Sequence, residues 1–487
     1  MKRAIALLLM IALLVSSIGF AAAEEKETIQ VAYLLAMNPA QERDLVQDAV
    51  NARLAELGYD FQVEFVCIDF ASWATQINLM LTDGSVDLFN CCFMPSISTL
   101  ADSGSIAPVD ELFAEYGQGI LAALGDYIGC AKINGVLYGA PKVNAFSSAL
   151  MFLMDKAICD ELGINPEAIT DLDTLTEALK VVKAAYPDMT VIANGKTGEY
   201  LTSVDADLLG TQDPLGTLML AEDPTGLTVQ NYYTSETYKN LLGYVKTWSD
   251  AGFFMKDPLN AQDGSMAYIS NGQAFGSFVS YSDEATAMSV QGNAIGKGIY
   301  VAQISQSAWA TTSNVNSMTW CIPALSEHQV AATKFLNLLF TDASIANLVC
   351  NGIEGVHYVV TDQGNITFAE GLDPMTTGWP SGMGTFWPNI CITYPWSPDP
   401  ANVYENWLAS NDTCSKSPAL GFMFDSSSVS DEVAACATVV DKYAAALMLN
   451  IGDTEALYQA FLGELDAAGI NEIIAAKQTQ LDAWAGK

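Results

Sequence analysis

Histidine is the scarcest reactive side chain in this 487-residue sequence, and one of its two copies, His357, follows Glu354 in "NGIEGVHYVV" (351–360). A carboxylate and an imidazole three residues apart on one helix face are the spacing from which paired metal sites draw ligands. Gly352 and Gly355 flank Glu354, however, which reads as a helix end followed by a turn. No second Glu-x-x-His completes a paired site. His357 is therefore expected to be a hydrogen-bonded partner within a turn, and His328, after "ALSE", a surface residue.

Ten cysteines form the other reactive set, at positions 67, 91, 92, 130, 159, 321, 350, 391, 414 and 436. Cys91 and Cys92 follow the run "VDLFN", and a thiol at a strand end can act as a nucleophile when its pKa is lowered. The next basic residue is Lys132, so the local sequence supplies no cation to lower it. There is no Cys-x-x-Cys, and the irregular spacing is not that of a disulfide framework. Cysteines inside apolar runs ("EFVCIDF", "NLVCNG", "AACATVV") read as small buried side chains. Free thiols in an exported chain would fit a cell living without oxygen.

Other signatures fail outright. No G-x-S-x-G, HExxH, P-loop or strand-linked GxGxxG is present. "DADLLGTQDPLG" opens at calcium-loop spacing but carries Gly216 where a bidentate Glu is needed. A glycosidase with paired carboxylates has no motif to support it among 56 acidic residues. No catalytic residue, metal or cofactor is expected.

The elements around these residues set their context. Lys2 and Arg3, the apolar run "AIALLLMIALLVSSIGF" and Ala21-x-Ala23 have the layout of a secretory signal peptide over 1–23. Its removal leaves 464 residues, too many for one core, with 18 basic against 56 acidic side chains, a net charge of −38. Such a surface repels nucleic acid and anionic lipid and suits a neutral or cationic ligand. "TIQVAYLL", the helix signal of Leu45, Val46, Val50, Leu54 and Leu57, "FQVEFVCID", "ASWATQINLMLTDG" and "VDLFN" run β-α-β-α-β. That order gives an α/β fold with an open parallel sheet, whose ligands bind beyond the strand carboxyl ends. Those ends lie around Asn38, at Asp69 to Trp73 and from Asn90 to Phe93. A second α/β set begins at "ALMFLMDKAICDELGI", and from 325 onward the chain is mainly helical, broken by an aromatic, Pro- and Gly-rich stretch at 361–425.

Several segments together resemble the family 1 extracellular solute-binding proteins of ABC transporters, a mostly carbohydrate-binding group. "LTDGSVDLFN", "DSGSIAPVDELF", "INGVLYGAPKVN", "MFLMDKAICDELGI", "YISNGQAFGSF" and "AATKFLNLLFTDASIANLV" occur in that family's order over some 250 residues. "NGIEGVHYVV", "SPALGFMFD" and "AAGINEIIAAKQTQLDAW" are similar to a longer, lipoprotein-like subgroup with a C-terminal extension. Two features depart from it. The first cysteine is Cys67, so the usual lipobox cysteine that would carry a lipid anchor is missing, and "FWPNICITYP" replaces the subgroup's Gly-Asn pair.

The resemblance implies a two-lobed, class II periplasmic-binding-protein-like fold. Lobe 1 is expected over 24–142 plus 278–320, and lobe 2 over 143–277 plus 321–487, with crossings near 140–146, 274–280 and 319–324. It also implies an exported, monomeric receptor on the outer face of the cell membrane or in a periplasm. This receptor captures a small neutral solute, a sugar or short oligosaccharide, by hinge closure and passes it to permease subunits. Ligand contacts are expected from Asn38, Trp73, Cys91, Phe93, Asn144, Asn194, Tyr200, Tyr281, Asp283, Trp309 and Asn316. Trp379, Trp387 and Trp396 are further stacking candidates. The alternative is a cysteine-nucleophile enzyme on the same scaffold.

Overall fold

Nine consecutive residue pairs join β1 (Glu27–Leu35) to β2 (Phe61–Asp69) in parallel, with α1 (Arg43–Glu56) as the crossover. The computed structural model describes residues 26–35, 40–92, 94–193, 205–258, 263–379 and 386–486. Residues 1–23, expected to be a signal peptide, and Asn38, Phe93, Asn194 and Tyr200 lie outside these residues. Helix α1 buries Val46, Val50 and Leu54, a strict i, i+4, i+8 stripe, while Leu45 and Leu57 face solvent. α2 (Trp73–Asp83) ends at Gly84, whose φ of 72° is the left-handed cap that glycine adopts without strain.

The first sheet continues less simply than a run of parallel strands. Leu88 bridges to Val31 in parallel, and β3 (Phe89–Asn90) and β4 (Ala140–Pro141) flank a strand that arrives much later in the chain. Beyond β4 the chain crosses at 142–146 into β5 (Ser147–Asp155), the buried centre of a second sheet. α3 (Leu172–Ala185), started by an Asp171–Thr174 capping box, packs Leu175, Leu179 and Val182 inward. Then come β6 (Thr190–Ile192), the short hairpin β7 (Ala206–Asp207) and β8 (Leu218–Met219), and α4 (Glu236–Asp250). β9 (Ala274–Tyr281) and β10 (Ile299–Gln303) pair antiparallel with β5 on its two sides, with α5 (Glu284–Ile295) between them in sequence, and β11 (Trp309–Ala310) pairs with the first residues of β5.

A second crossing at 311–318 returns the chain to the first sheet, where β12 (Thr319–Cys321) is the late strand between β3 and β4. α6 (Gln329–Thr341) then packs on β1, and α7 (Ala343–Asn351) on α1. After α8 (Val403–Thr413) the chain passes Cys414 and re-enters the second sheet as β13 (Ser415–Lys416), paired with β11. α9 (Ser430–Met448), α10 (Thr454–Ala468) and α11 (Ile470–Trp484) close the fold. These three helices share one core with residues 206–245.

Two lobes result, with boundaries that differ from the sequence expectation. The tract 274–280 is not a crossing: it is the interior of β9, buried on both faces and paired to β5. Residues 278–310 therefore belong to lobe 2. Residues 321–351 belong to lobe 1, because α6 buries eight side chains in the core built on β1. Trp379 and Trp387 are core residues too, set against Tyr33 at 4.7 and 5.0 Å, with Trp387 stacked on Trp320 at 4.9 Å. Trp396 lies against Phe368 with the rings tilted by 38° and donates its indole N–H to Asn351. The first two are enclosed by the core and the third is held by its neighbours, so all three serve packing.

Candidate functional site

The strand ends of both lobes meet at the crossings. In lobe 1, β1, β2, β3 and β4 all end at one edge, which gathers Asp69 to Trp73, Cys91, Asn144 and, just before β12, Asn316. In lobe 2 the start of β5 and the ends of β9, β10 and β11 bring Ser148, Ser280, Tyr281 and Trp309 together.

Not every residue brought to these edges is free to meet a ligand. Trp73 is 1 % exposed and donates its indole N–H to the Cys92 carbonyl at 2.9 Å, so it holds the loop after β3 from beneath. Cys91 is 8 % exposed, with its thiol set against that of Cys321. Asp283 caps α5: its carboxylate accepts from the Thr286 N–H and hydroxyl and from Ser282. Asn316 donates to the Cys130 carbonyl. In each of these four a nearby protein group already engages the side chain. Two others stay open. The Asn144 backbone carbonyl accepts from Asn411 at 2.6 Å, yet no donor among the described residues reaches its buried Oδ1. Tyr281 keeps a half-exposed ring and accepts from Gln291 at its hydroxyl.

Trp309 is the best-placed candidate. It is half-buried on β11, beside the second crossing, and it lines the same hollow as the Asp205 carboxylate, whose charged form its indole favours. Asp205 precedes β7 with φ of 64°, a strained conformation for a residue with a side chain. Burial pushes its carboxyl up to about 6, and the Trp309 indole pulls the other way. Ser148 and Ser280, hydrogen-bonded to each other, line the same hollow with Ser313 and Asn314, a cavity of about 220 Å³. Past Trp309 and Asp205 it adjoins a second cavity of about 390 Å³, walled by Tyr232, Asn240, Tyr244 and Gln306. An aromatic ring, an ionisable carboxyl and a ring of hydroxyls and amides suit a polyol with apolar C–H faces. Asp205 escaped the sequence reading. Its only signal was the acidic "DADLLG" run, which resembled a failed calcium loop.

The reactive residues of the sequence take other places. His357 is 1 % exposed; its Nδ1 accepts from the Ile353 N–H and its Nε2 pairs with Glu42 at 2.9 Å. Burial lowers its pKa in spite of Glu42. All ten cysteines are free. Burial drives the Cys92 thiol up to about 12, so at neutral pH it is no thiolate nucleophile. Lys142, at the first crossing, is pushed down to about 8 by burial, beside Cys92 and Cys391.

Comparison with known proteins places this geometry. Residues 39–346 match the family model described as bacterial extracellular solute-binding protein, and residues 418–486 match a domain of unknown function, DUF3502. A carbohydrate ABC transporter substrate-binding protein of Streptococcus pneumoniae serotype 4 (strain ATCC BAA-334 / TIGR4) is 22 % identical over 463 residues, covering 92 % of this chain and 89 % of that protein. Among solved structures, the N-glycan transport solute binding protein (NgtS) of S. pneumoniae superposes with a TM-score of 0.80 at 20 % identity, over 94 % of this chain and 99 % of that one. The same protein in complex with Man1GlcNAc superposes at 0.69, with 19 % identity and 95 % and 100 % coverage. A solute-binding protein from Bifidobacterium longum infantis ATCC 15697, described as binding HMO, gives 0.61 at 16 % identity, with 95 % and 99 % coverage. At these identities the likeness establishes the two-lobed fold.

Proposed function

This chain belongs to the family of bacterial extracellular solute-binding proteins, and from that premise we propose that it captures a sugar or short oligosaccharide between its lobes for an ABC importer. The observation that carries the proposal is the Trp309–Asp205 pair, open at the edge of lobe 2 beside the crossings. The ring covers a C–H face while the carboxylate and the Ser148 and Ser280 hydroxyls meet ligand hydroxyls. From lobe 1, Asn144 offers an amide oxygen that no donor among the described residues reaches, and Tyr281 adds a second ring from lobe 2. Asn38, Phe93, Asn194 and Tyr200 remain candidates on sequence position alone.

Binding works by closure. A ligand that touches both lobes binds the closed arrangement more tightly and shifts the population toward it. The receptor acts as a monomer on the outer face of the membrane and hands its cargo to permease subunits. Among the described residues no helix is long and apolar enough to cross a membrane. It is a receptor and not an enzyme: no cysteine or carboxylate has to act on the solute.

Thermal unfolding against a panel of oligosaccharides, mannosyl-GlcNAc and milk oligosaccharides included, tests this. A ligand at a hundred times its Kd stabilises by about 2.7 kcal/mol, a shift of a few degrees. A saturable shift with the sugar recovered unchanged is expected. No shift with any sugar, or a chemically altered sugar, overturns the reading.

A further inference from the structure

Helix α11 of the C-terminal unit carries Lys477 on the stripe of Ile470, Ile473 and Leu481, although a lysine is ordinarily kept in solvent. Lys477 is instead fully buried, and its ammonium donates to the Leu208 carbonyl at 2.8 Å, the Thr211 hydroxyl at 2.8 Å and the Gly216 carbonyl at 2.7 Å. Three N–H donors thus meet three acceptors, so a buried cation is fully satisfied. All three acceptors lie in the loop between β7 and β8. That loop holds one strained residue, Leu209 with φ of 57°, while Gly210 and Gly216 take left-handed turns at 103° and 80° that glycine accepts. A strained residue persists only where surrounding structure over-determines it.

Local bonds brace the same loop, and one more joins it to the C-terminal unit. The Asp207 carboxylate accepts from the Leu209 N–H and the Ser417 hydroxyl, and the Phe424 N–H donates to the Leu209 carbonyl. Gly216 sits so close to α11 that an added Cβ would lie 3.1 Å from Ile474 and 3.4 Å from the Lys477 stem. Asp205 is the residue immediately before β7, so whatever fixes the loop also fixes its carboxylate against Trp309.

We propose that the C-terminal unit, residues 418–486, sets the sugar affinity of the Trp309–Asp205 hollow through Lys477, a positioning residue that holds the β7–β8 loop and so aims Asp205. This rests on the receptor reading above and gives the domain of unknown function a role within it. Lys477 touches no ligand; its effect travels through one loop to one carboxylate.

Two readouts test the proposal, and the first needs no ligand. In the full chain, the Trp309 indole N–H resonance should move with pH as Asp205 titrates, and the D205N variant should abolish that step. The K477M variant, folded by circular dichroism, should lose or displace the step, because Asp205 no longer faces the indole. The second readout is titration with the tightest-binding sugar of the panel. K477M should weaken binding at least tenfold in the wild-type background and by less than twofold in a D205A background. A lysine that only stabilises the fold would weaken both backgrounds alike. An unchanged indole step, or equal losses in both backgrounds, overturns the proposal. If K477M does not fold, T211V removes one of the three acceptors and should move both readouts in the same direction, more weakly; no movement there also overturns it. Should the wild type bind no sugar, the receptor reading falls, and the indole step alone decides whether Lys477 positions Asp205.

Discussion

Asp205 makes sugar binding depend on pH in a way that can be worked out in advance. Its carboxyl titrates near 6 because burial disfavours the charge. A carboxylate accepts hydroxyl hydrogen bonds more strongly than the neutral acid, since charge-assisted bonds are about twice as strong as neutral ones. If the sugar binds only the ionised form, the apparent Kd rises about twofold at pH 6 and about tenfold at pH 5, equivalent to ~1.4 kcal/mol. Loss of fold does not imitate this effect. A carboxyl raised from 3.8 to about 6 holds its proton more tightly folded than unfolded, so this group stabilises the fold as pH falls through that window. Isothermal titration from pH 5 to 7.5 measures the effect. The D205N variant should bind at least tenfold more weakly at pH 7.5, by about 1.4 kcal/mol or more, and show no such slope. A flat wild-type profile, or the same slope in D205N, refutes the reasoning.

Three further outcomes are expected. W309A should weaken binding by about 2 kcal/mol, roughly thirtyfold, from losing some 80 Å² of apolar contact at 25 cal/mol/Å², as titration will read. Lys477 is held down to about 7 by burial against 10.5 in the unfolded chain, so the unfolded state binds the extra proton between these values and stability rises with pH there; urea unfolding should show the wild type gaining about 2–3 kcal/mol on K477M between pH 7.5 and 9.5. G352A should cost about 3 kcal/mol in the same assay, because Gly352 sits at φ 81° and an added Cβ would lie 2.6 Å from His357 Nδ1.

The parts of the fold legible in sequence are those made by neighbours along the chain. The β1–α1–β2 unit shows in its periodicity because its stripe, strands and crossover lie within about 40 residues. β4 and β12 are two and three residues long and pair across long separations, so no local pattern marks them. The lobe boundary was misplaced for the same reason: "AFGSFVSY" reads as a strand, but only pairing with β5 shows which sheet owns it. Glu354 and His357 were rightly read as a turn, since two glycines declared it. Tryptophans were the weakest guide. Trp309 and Trp73 have the same chemistry, and only burial separates a ring facing a hollow from one beneath a loop. Asp205 and Lys477 were invisible because each acts through a partner far away in sequence, an indole in one case and three acceptors of a loop in the other.

The interleaving of the two lobes also governs when the molecule can form. Asn90 waits for Trp320, and the helices that cover β1 and α1 end at Asn351. Lobe 2 waits longer still, since the helices of its shared core run to Trp484. Trp379 and Trp387 complete that core, so a ribosome must finish about four fifths of the chain before the N-terminal lobe has all its walls. Closing loops of that length early is costly in entropy and slows folding. A chain built this way stays unfolded through most of its synthesis, the state in which a polypeptide can be threaded through a membrane pore.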